Sequence, residues 1–242
     1  MKKKIILALI LLLASFLRLY KLGSYPPLNA DEAAIGYNAW SLIQTGKDEH
    51  GNSWPIHFKS FGDFKPGGYF YIVLPFAKLL GLNEWVIRLP SALMAIATIY
   101  LVYLLAKLLW RDEVLGLIWA FVLTVSPWHL HFSRGGWESN SALFFVTLGI
   151  YFFFLGIHKK REFSIFKFQF SIFSFLFAMY IYHSARVVAP ALVLGLIIFN
   201  WNFFWKNKKQ FIIPAIFGFL LLLPLVVSFL KGGASARFSG VG

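Results

Sequence analysis

Uncharged apolar stretches, separated by short charged segments, recur along most of this chain. A helix needs about 20 mostly apolar residues to cross the hydrocarbon core of a membrane. Seven stretches approach that length, and they cover residues 5–20, 89–106, 114–133, 139–157, 168–185, 187–205 and 210–230. The pattern predicts an all-α fold, a polytopic transmembrane helix bundle of about seven spans that forms a single domain over residues 1–242.

Two apolar stretches allow a second interpretation. Lys2–Lys4 followed by residues 5–17 resembles a signal peptide, but no small-residue cleavage site follows, so we expect an uncleaved first span. Pro66–Ala77 lies between Lys65 and Lys78, and its length as a helix is roughly 18 Å, short of a hydrocarbon core of about 30 Å. We therefore expect this segment to lie at the membrane interface.

The basic residues predict the orientation of the chain. With seven spans, twelve of the 23 Lys and Arg residues fall on the side of the N-terminus, whereas the short loops on the other side hold four. Lys and Arg concentrate in cytoplasmic loops, so we expect a multi-pass protein of the cytoplasmic (inner) membrane with a cytoplasmic N-terminus. Residues 21–88 then form one long external loop, and the active face is external or periplasmic.

Composition excludes several classes of protein. Hydrophobic residues make up 59% of the chain and charged residues 14%, against about 45–50% and 25% in soluble proteins. This excludes a soluble enzyme and a disordered chain. The net charge of +13 is explained by membrane orientation, so we expect membrane lipids and no nucleic acid as partners. The absence of Cys excludes a disulfide framework and a thiol nucleophile.

The external loop carries an acidic pair, Asp31-Glu32, at the start of a predicted helix. Asn29 and Glu32 have the spacing of a capping box, and the helix runs to about Gln44, before Gly46. Its apolar residues share one stripe, so we expect an amphipathic helix lying on the outer surface. Two acids here either complement the helix macrodipole or provide a catalytic carboxylate just above the bilayer.

Several cations lie on the outer side against the orientation rule, and they are candidates for binding an anion. Lys65 precedes an apolar run, so it is either a snorkelling anchor or a phosphate ligand. Arg134 is spaced to pair with Glu138, and the two glycines between them indicate a close backbone approach. The other outer cations include Arg186 and Arg237.

Metal ligation is a weaker hypothesis. His129 and His131, two residues apart, do not have the helical spacing of a zinc pair, and we interpret them as interface histidines. A divalent ion held by external carboxylates is an open possibility, because such ions prefer oxygen ligands.

In their order along the chain, these residues resemble the GT-C membrane glycosyltransferases. The resemblance is to glycosyltransferase family 39, which includes protein O-mannosyltransferases and bacterial aminoarabinose transferases of lipid A. Asp31-Glu32 is similar to the acidic pair of its first external loop. Lys65-Pro66 resembles its Lys-Pro-Pro-like element, with Gly67 in place of the second proline. Further similar elements are Arg88-Leu89-Pro90-Ser91, Ser133-Arg134 with Glu138, and Arg237-Phe238.

The resemblance implies an inverting glycosyltransferase that moves a hexose or pentose from a polyprenyl-phosphate donor to a protein, lipid or glycan acceptor. It implies that Asp31 is the general base, and that Glu32, its neighbour in the catalytic pair, supports it or binds a metal. The implied phosphate ligands are Lys65, Arg134, Arg186 and Arg237, with Glu138 and Asp63 as supporting residues. Family members carry further spans, so we expect an N-terminal fragment or a truncated gene product.

Two alternatives lie outside this class. A lipid or solute transporter usually places ionisable groups at mid-membrane, whereas residues 5–17 and the other six stretches contain no Asp, Glu, Lys or Arg. A non-enzymatic membrane scaffold whose outer loop binds a partner is the second alternative.

Overall fold

The computed structural model describes residues 2–60, 63–157 and 165–230, so Arg237 and the basic cluster at 159–161 lie outside the described residues. The described chain forms eleven α-helices and one β-hairpin, which confirms the all-α fold. The helices are α1 (Lys2–Leu19), α2 (Ala30–Thr45), α3 (Gly68–Leu80), α4 (Glu84–Trp110), α5 (Glu113–Val125), α6 (Pro127–Ser133), α7 (Glu138–Ile157), α8 (Ile165–Ile181), α9 (Ala185–Phe199), α10 (Trp201–Lys206) and α11 (Ile212–Leu230), and the strands are β1 (His57–Ser60) and β2 (Asp63–Pro66).

Within residues 2–60, 63–157 and 165–230, three helical segments are long and apolar enough to cross a membrane. They are α4, α7 and Lys208–Leu230, which joins a short 3-10 turn to α11. Helices α5 and α6 together make a fourth candidate that bends by 62° at its break, while α3, α8 and α9 are shorter apolar helices. The described residues therefore form a helical membrane bundle, and the number and direction of its spans stay predictions.

The break between α5 and α6 divides a span that the sequence predicts as continuous over 114–133. Ser126 has an extended backbone, with ψ of 118°, and Pro127 begins α6. Proline disfavours the helical conformation in the residue before it and lacks an N–H to continue the ladder. Consequently the last carbonyl groups of α5 need partners from elsewhere in the protein.

The segment 21–88, predicted as one external loop, folds into α2, a hairpin and α3. Helix α2 begins with the predicted capping box. Asn29 Oδ1 accepts from the Glu32 N–H at 2.9 Å, and Glu32 Oε2 accepts from the Asn29 N–H at 3.1 Å. The helix ends at Gly46, whose φ of +70° suits glycine. The hairpin has no counterpart in the sequence prediction.

The packed centre of the protein lies between this segment and the bundle. Phe58 of the hairpin stacks on Phe70 of α3, with ring centroids 4.1 Å apart, and both are fully buried. Helix α3 comes close to the end of α8 at Gly68, where an added Cβ would lie 2.8 Å from the Tyr180 carbonyl oxygen. These contacts join the hairpin to α3 and α3 to the end of α8.

Candidate active site

A polar cavity of about 180 Å³ lies where α2, the hairpin, α7 and the α8–α9 junction meet. It brings together four residues that the sequence singles out from distant positions, and aromatic side chains complete its wall. The four are Asp31, Asp63, Lys65 and Glu138, and the aromatic residues include Phe132, Trp137 and Tyr182.

Asp31 and Lys65 form an ion pair at this cavity. Asp31 lies in the first turn of α2 with its side chain 42% exposed, whereas the Lys65 side chain is only 12% exposed. Lys65 pairs with Phe58 across the hairpin, and cross-strand partners point to the same face. Because Phe58 is fully buried, this register turns Lys65 towards the interior of the protein.

Gly67 stands where the Lys-Pro-Pro-like element has its second proline, and its contacts explain this difference. The Gly67 N–H donates to the Ile56 carbonyl at 2.8 Å, a bond that proline cannot make. An added Cβ at Gly67 would also lie 2.8 Å from that same oxygen. Glycine is therefore the residue that lets the end of β2 approach the chain before β1.

Glu32 lies beside Asp31 in sequence but in a different environment. It is buried, and its carboxylate accepts hydrogen bonds from Arg88 Nε at 2.6 Å and from Nη2 at 2.8 Å. The N–H groups of Asn29 and Gly136 donate to the same carboxylate. Burial raises the pKa of Glu32, but these bonds, led by that from Arg88, outweigh it and hold the pKa below its usual range.

Arg88 completes this buried network from within α4, which begins at Glu84 and so places Arg88 inside the helix rather than in the predicted loop. Its Nη1 donates to the carbonyls of Leu22 and Pro26 at 2.9 and 2.8 Å. The network therefore joins α2 and α4 to the connection after α1 and, through Glu32, to the turn before α7.

Arg134 is engaged by backbone carbonyls. It donates to Leu17 at 2.6 Å, to Tyr20 at 2.8 Å and to Tyr25 at 3.0 Å. These groups belong to the end of α1 and the segment after it, so Arg134 caps that helix. It does not contribute to the described wall of the polar cavity, and this position lends no support to its predicted contact with phosphate.

Arg186 does not contribute to the described wall of the polar cavity, but it contacts two histidines beside it. Its Nη2 donates to His57 Nε2 at 2.6 Å, and its Nη1 lies 3.3 Å from His183 Nδ1. His183 lines the cavity, and its Nε2 donates to the Phe64 carbonyl at 2.9 Å. Burial, followed by the positive charge of Arg186, lowers the pKa of His57 to about 4.

Two further cavities adjoin the polar cavity and share the side chains of Ser139 and Tyr182 with it. The larger, about 300 Å³, we name the aromatic cavity because Trp128, Phe132 and Tyr182 line it. The other, about 180 Å³, we name the apolar cavity, and its wall includes Ala142, Leu143, Val146 and Val188. Together they extend the polar site along α7.

Sequence reasoning missed Arg18 and gave His129 no functional role. Arg18 lies in α1 near its C-terminal end and is fully buried, and His129, interpreted as an interface residue, is also buried. In the predicted topology Arg18 lies at the outer end of the first span, so the exception to the orientation rule that singles out Lys65 would apply to it as well.

The described residues contain no group of three or more His, Asp or Glu side chains placed to hold a metal ion. The carboxylates of the polar cavity therefore give the possible divalent ion no support within the described part of the chain.

The fold and the cavity define a multi-pass membrane protein with a charged site at one end of its helices. Residues 65–228 match the family of dolichyl-phosphate-mannose-protein mannosyltransferases. The match covers more than half of the chain, and the chain therefore belongs to this family of GT-C membrane glycosyltransferases, which use polyprenyl-phosphate sugar donors. The matched segment begins at Lys65, so Asp31 and Glu32 precede it. No curated protein and no solved structure matches the chain.

Proposed function

We propose that this chain carries the donor site and the general base of an inverting glycosyltransferase that modifies protein hydroxyl groups. The donor is a polyprenyl-phosphate sugar, and transfer takes place on the outer face of the cytoplasmic membrane. The observation that carries the proposal is the Asp31–Lys65 pair at the polar cavity, because the reaction needs a base and a cation side by side.

Asp31 acts as the base. A hydroxyl oxygen of the acceptor attacks the anomeric carbon of the sugar while the Asp31 carboxylate takes the hydroxyl proton. The bond between that carbon and the phosphate oxygen breaks, and the phosphate departs with the bonding electrons. The partial exposure of Asp31 supports this role, because an acceptor must reach it.

Lys65 stabilises the departing polyprenyl phosphate. An ammonium is a compact charge that suits a phosphate, and its small exposed fraction strengthens its interaction with developing negative charge. We infer that an arriving phosphate takes over the ammonium from Asp31, so that the carboxylate becomes available to the acceptor. Donor binding and activation of the base are then coupled.

The apolar cavity takes the first part of the prenyl chain. Its described wall is almost entirely apolar, and Leu143 and Val188 are 44% and 47% exposed at the outside of the bundle. It shares Ser139 and Tyr182 with the polar cavity. A lipid in the surrounding bilayer therefore reaches the cavity that Lys65 lines without leaving apolar surroundings.

Glu32, Arg134 and Arg186 serve as framework residues in this proposal. Glu32 already accepts four hydrogen bonds, so it holds the first turn of α2, and with it Asp31, in position. Arg134 fixes the end of α1, and Arg186 ties α9 to the hairpin through His57.

The test is sugar transfer from polyprenyl-phosphate mannose to a Ser/Thr-containing peptide by the purified protein in lipid nanodiscs. Asp31→Asn should lower turnover about 10²- to 10⁴-fold, the contribution typical of a general base, and should retain donor binding. Glu84→Gln, at an exposed carboxylate in the first turn of α4, is the control and should keep wild-type turnover. Unchanged turnover in Asp31→Asn would refute the mechanism.

A further inference from the structure

Arg18 is fully buried, and its partners are backbone carbonyls and a histidine. It donates to the carbonyls of Ala14 and Thr124 at 3.3 Å and of Leu123 at 3.4 Å. Leu123 and Thr124 belong to the last turn of α5, whose carbonyls the break before Pro127 leaves without helical partners. The fourth partner is His129 Nδ1, 2.7 Å from Arg18 Nη2.

This contact fixes the proton position on His129. Guanidinium nitrogens only donate hydrogen bonds, so His129 Nδ1 is the acceptor and the ring proton lies on Nε2. The side chain is 3% exposed, and Nε2 has no hydrogen-bond partner among the described residues. The ring therefore carries a buried donor that the described chain does not satisfy.

Asn140, at the start of α7, carries the complementary atom. Its Nδ2 donates to the Ser91 carbonyl at 2.9 Å, and a carbonyl oxygen only accepts, so the orientation of the amide is fixed. Its Oδ1 finds no hydrogen-bond partner in the described part of the chain, and the residue is 2% exposed. Asn140 thus carries a buried acceptor that no described residue pairs with.

His129 and Asn140 both line the aromatic cavity. Buried polar atoms are normally paired, and leaving one unpaired costs about 1–3 kcal/mol. Both atoms are closed to solvent, so a ligand that reaches them from the cavity must displace the side chains that cover them, and it then pairs both atoms. A phosphate oxygen only accepts, whereas a hydroxyl group donates and accepts at once and fits both atoms. Aromatic walls with a few placed polar groups are typical of sites that orient a small ligand.

We propose that the aromatic cavity holds the sugar ring of the donor, with a ring hydroxyl between His129 Nε2 and Asn140 Oδ1. This inference rests on the proposed function. It adds that these two residues recognise the sugar, whereas Lys65 binds the phosphate. The two cavities share Phe132, Ser139 and Tyr182. A ring in the aromatic cavity is thereby next to a phosphate in the polar cavity.

The experiment compares binding of three probes to the full chain in nanodiscs: a bare polyprenyl phosphate, and the same lipid carrying mannose or glucose. His129→Asn keeps an amide oxygen near Nδ1 for Arg18 but lacks the donor at Nε2. It should bind the preferred sugar-bearing probe about 5- to 10-fold more weakly, the effect of one hydrogen bond, and should bind the bare lipid normally. His131→Asn, at the exposed histidine two residues along α6, should match the wild type.

His129→Gln separates a ligand contact from a structural one. It presents an amide N–H near the position of Nε2 but loses the acceptor for Arg18, so under this proposal it retains more sugar-dependent affinity than His129→Asn. The opposite ranking, an equal loss for all three probes or no loss at all would overturn the inference. A wild type that binds the bare lipid but gains nothing from either sugar overturns this inference alone. Failure to bind the bare lipid overturns the proposed function as well.

Discussion

Arg88 and Arg18 are both fully buried, but different kinds of partner stabilise their positive charges. Arg88 meets the Glu32 carboxylate and two carbonyls, all within 2.9 Å. Arg18 has no carboxylate partner among the described residues and relies on longer contacts with carbonyls and on neutral His129. The first network satisfies its members and fixes the architecture, whereas the second leaves the Nε2 proton of His129 available.

Breaking the first network should have the largest effect. Arg88→Met leaves the Glu32 carboxylate buried without its cation, and removing one partner of a buried pair costs about 3–5 kcal/mol. The measurement is unfolding in detergent by temperature or denaturant. Lys78→Met, at an exposed lysine of α3, is the control and should unfold like the wild type.

The double variant Glu32→Gln/Arg88→Met sharpens this prediction. It removes both charges, so it should recover part of the lost stability. A double variant as unstable as the sum of the two single variants would show that the pair is not coupled, contrary to the contacts described above.

Breaking the second network should cost less. Arg18→Met leaves carbonyl acceptors and the His129 ring without a donor but leaves no carboxylate behind, and we expect a loss of about 1–3 kcal/mol. The same unfolding assay ranks it against Arg88→Met. A larger loss for Arg18→Met than for Arg88→Met would contradict the distinction between the two arginines.

Lys65 is a third cation in this comparison. Its partner in the structure is Asp31, and in the proposed mechanism a donor phosphate takes the place of Asp31. Lys65→Gln should weaken binding of bare polyprenyl phosphate about tenfold through loss of one charge-assisted contact, and should leave stability near that of the wild type. Lys59→Gln, on the neighbouring strand and exposed, is the matched control. A fall in stability without a change in lipid affinity would make Lys65 a structural residue only.

The smallest effect should be a dependence of stability on pH. His57 has a pKa of about 4 in the folded protein, below the value of about 6.5 in an unfolded chain. Protonation therefore favours unfolding, and stability should be full above pH 6.5 and fall as the pH decreases towards 4. The Glu32 pKa is also lowered, and its contribution is lost only below about pH 4.5.

The difference between the wild type and His57→Gln, each unfolded at pH 7 and at pH 5, isolates the contribution of His57. The wild type should lose on the order of 1 kcal/mol over this interval, and His57→Gln should lose less. An unchanged slope in His57→Gln would mean that another group titrates in this range.

The sequence predicts local features of the site better than its long-range contacts. The capping box at Asn29 and Glu32 depends on residues three apart, and it forms as predicted. The Glu32–Arg88 pair joins residues 56 apart, and no periodicity indicates it. The hairpin escapes prediction because its strands are four residues long and its register depends on packing of Phe58 against α3.

Two other features, the break before Pro127 and the buried Arg18, could have been expected from the sequence. Pro127 lies within the predicted span 114–133, and a proline there is a known cause of a helix break. The first predicted span includes Arg18 near its end, and a basic residue at that height needs partners. The aromatic cavity could not be predicted, because it depends on the angle that the break between α5 and α6 gives to His129.

Ser139 and Tyr182 are walls common to all three cavities. In the proposed enzyme, the phosphate, the sugar and the prenyl chain of one donor meet at this junction, but each lies against a different set of side chains. Substitutions in the aromatic cavity can therefore alter the sugar that is accepted without touching Asp31 or Lys65. Such a division would let related enzymes diverge in the sugar they transfer while keeping one chemistry and one lipid carrier.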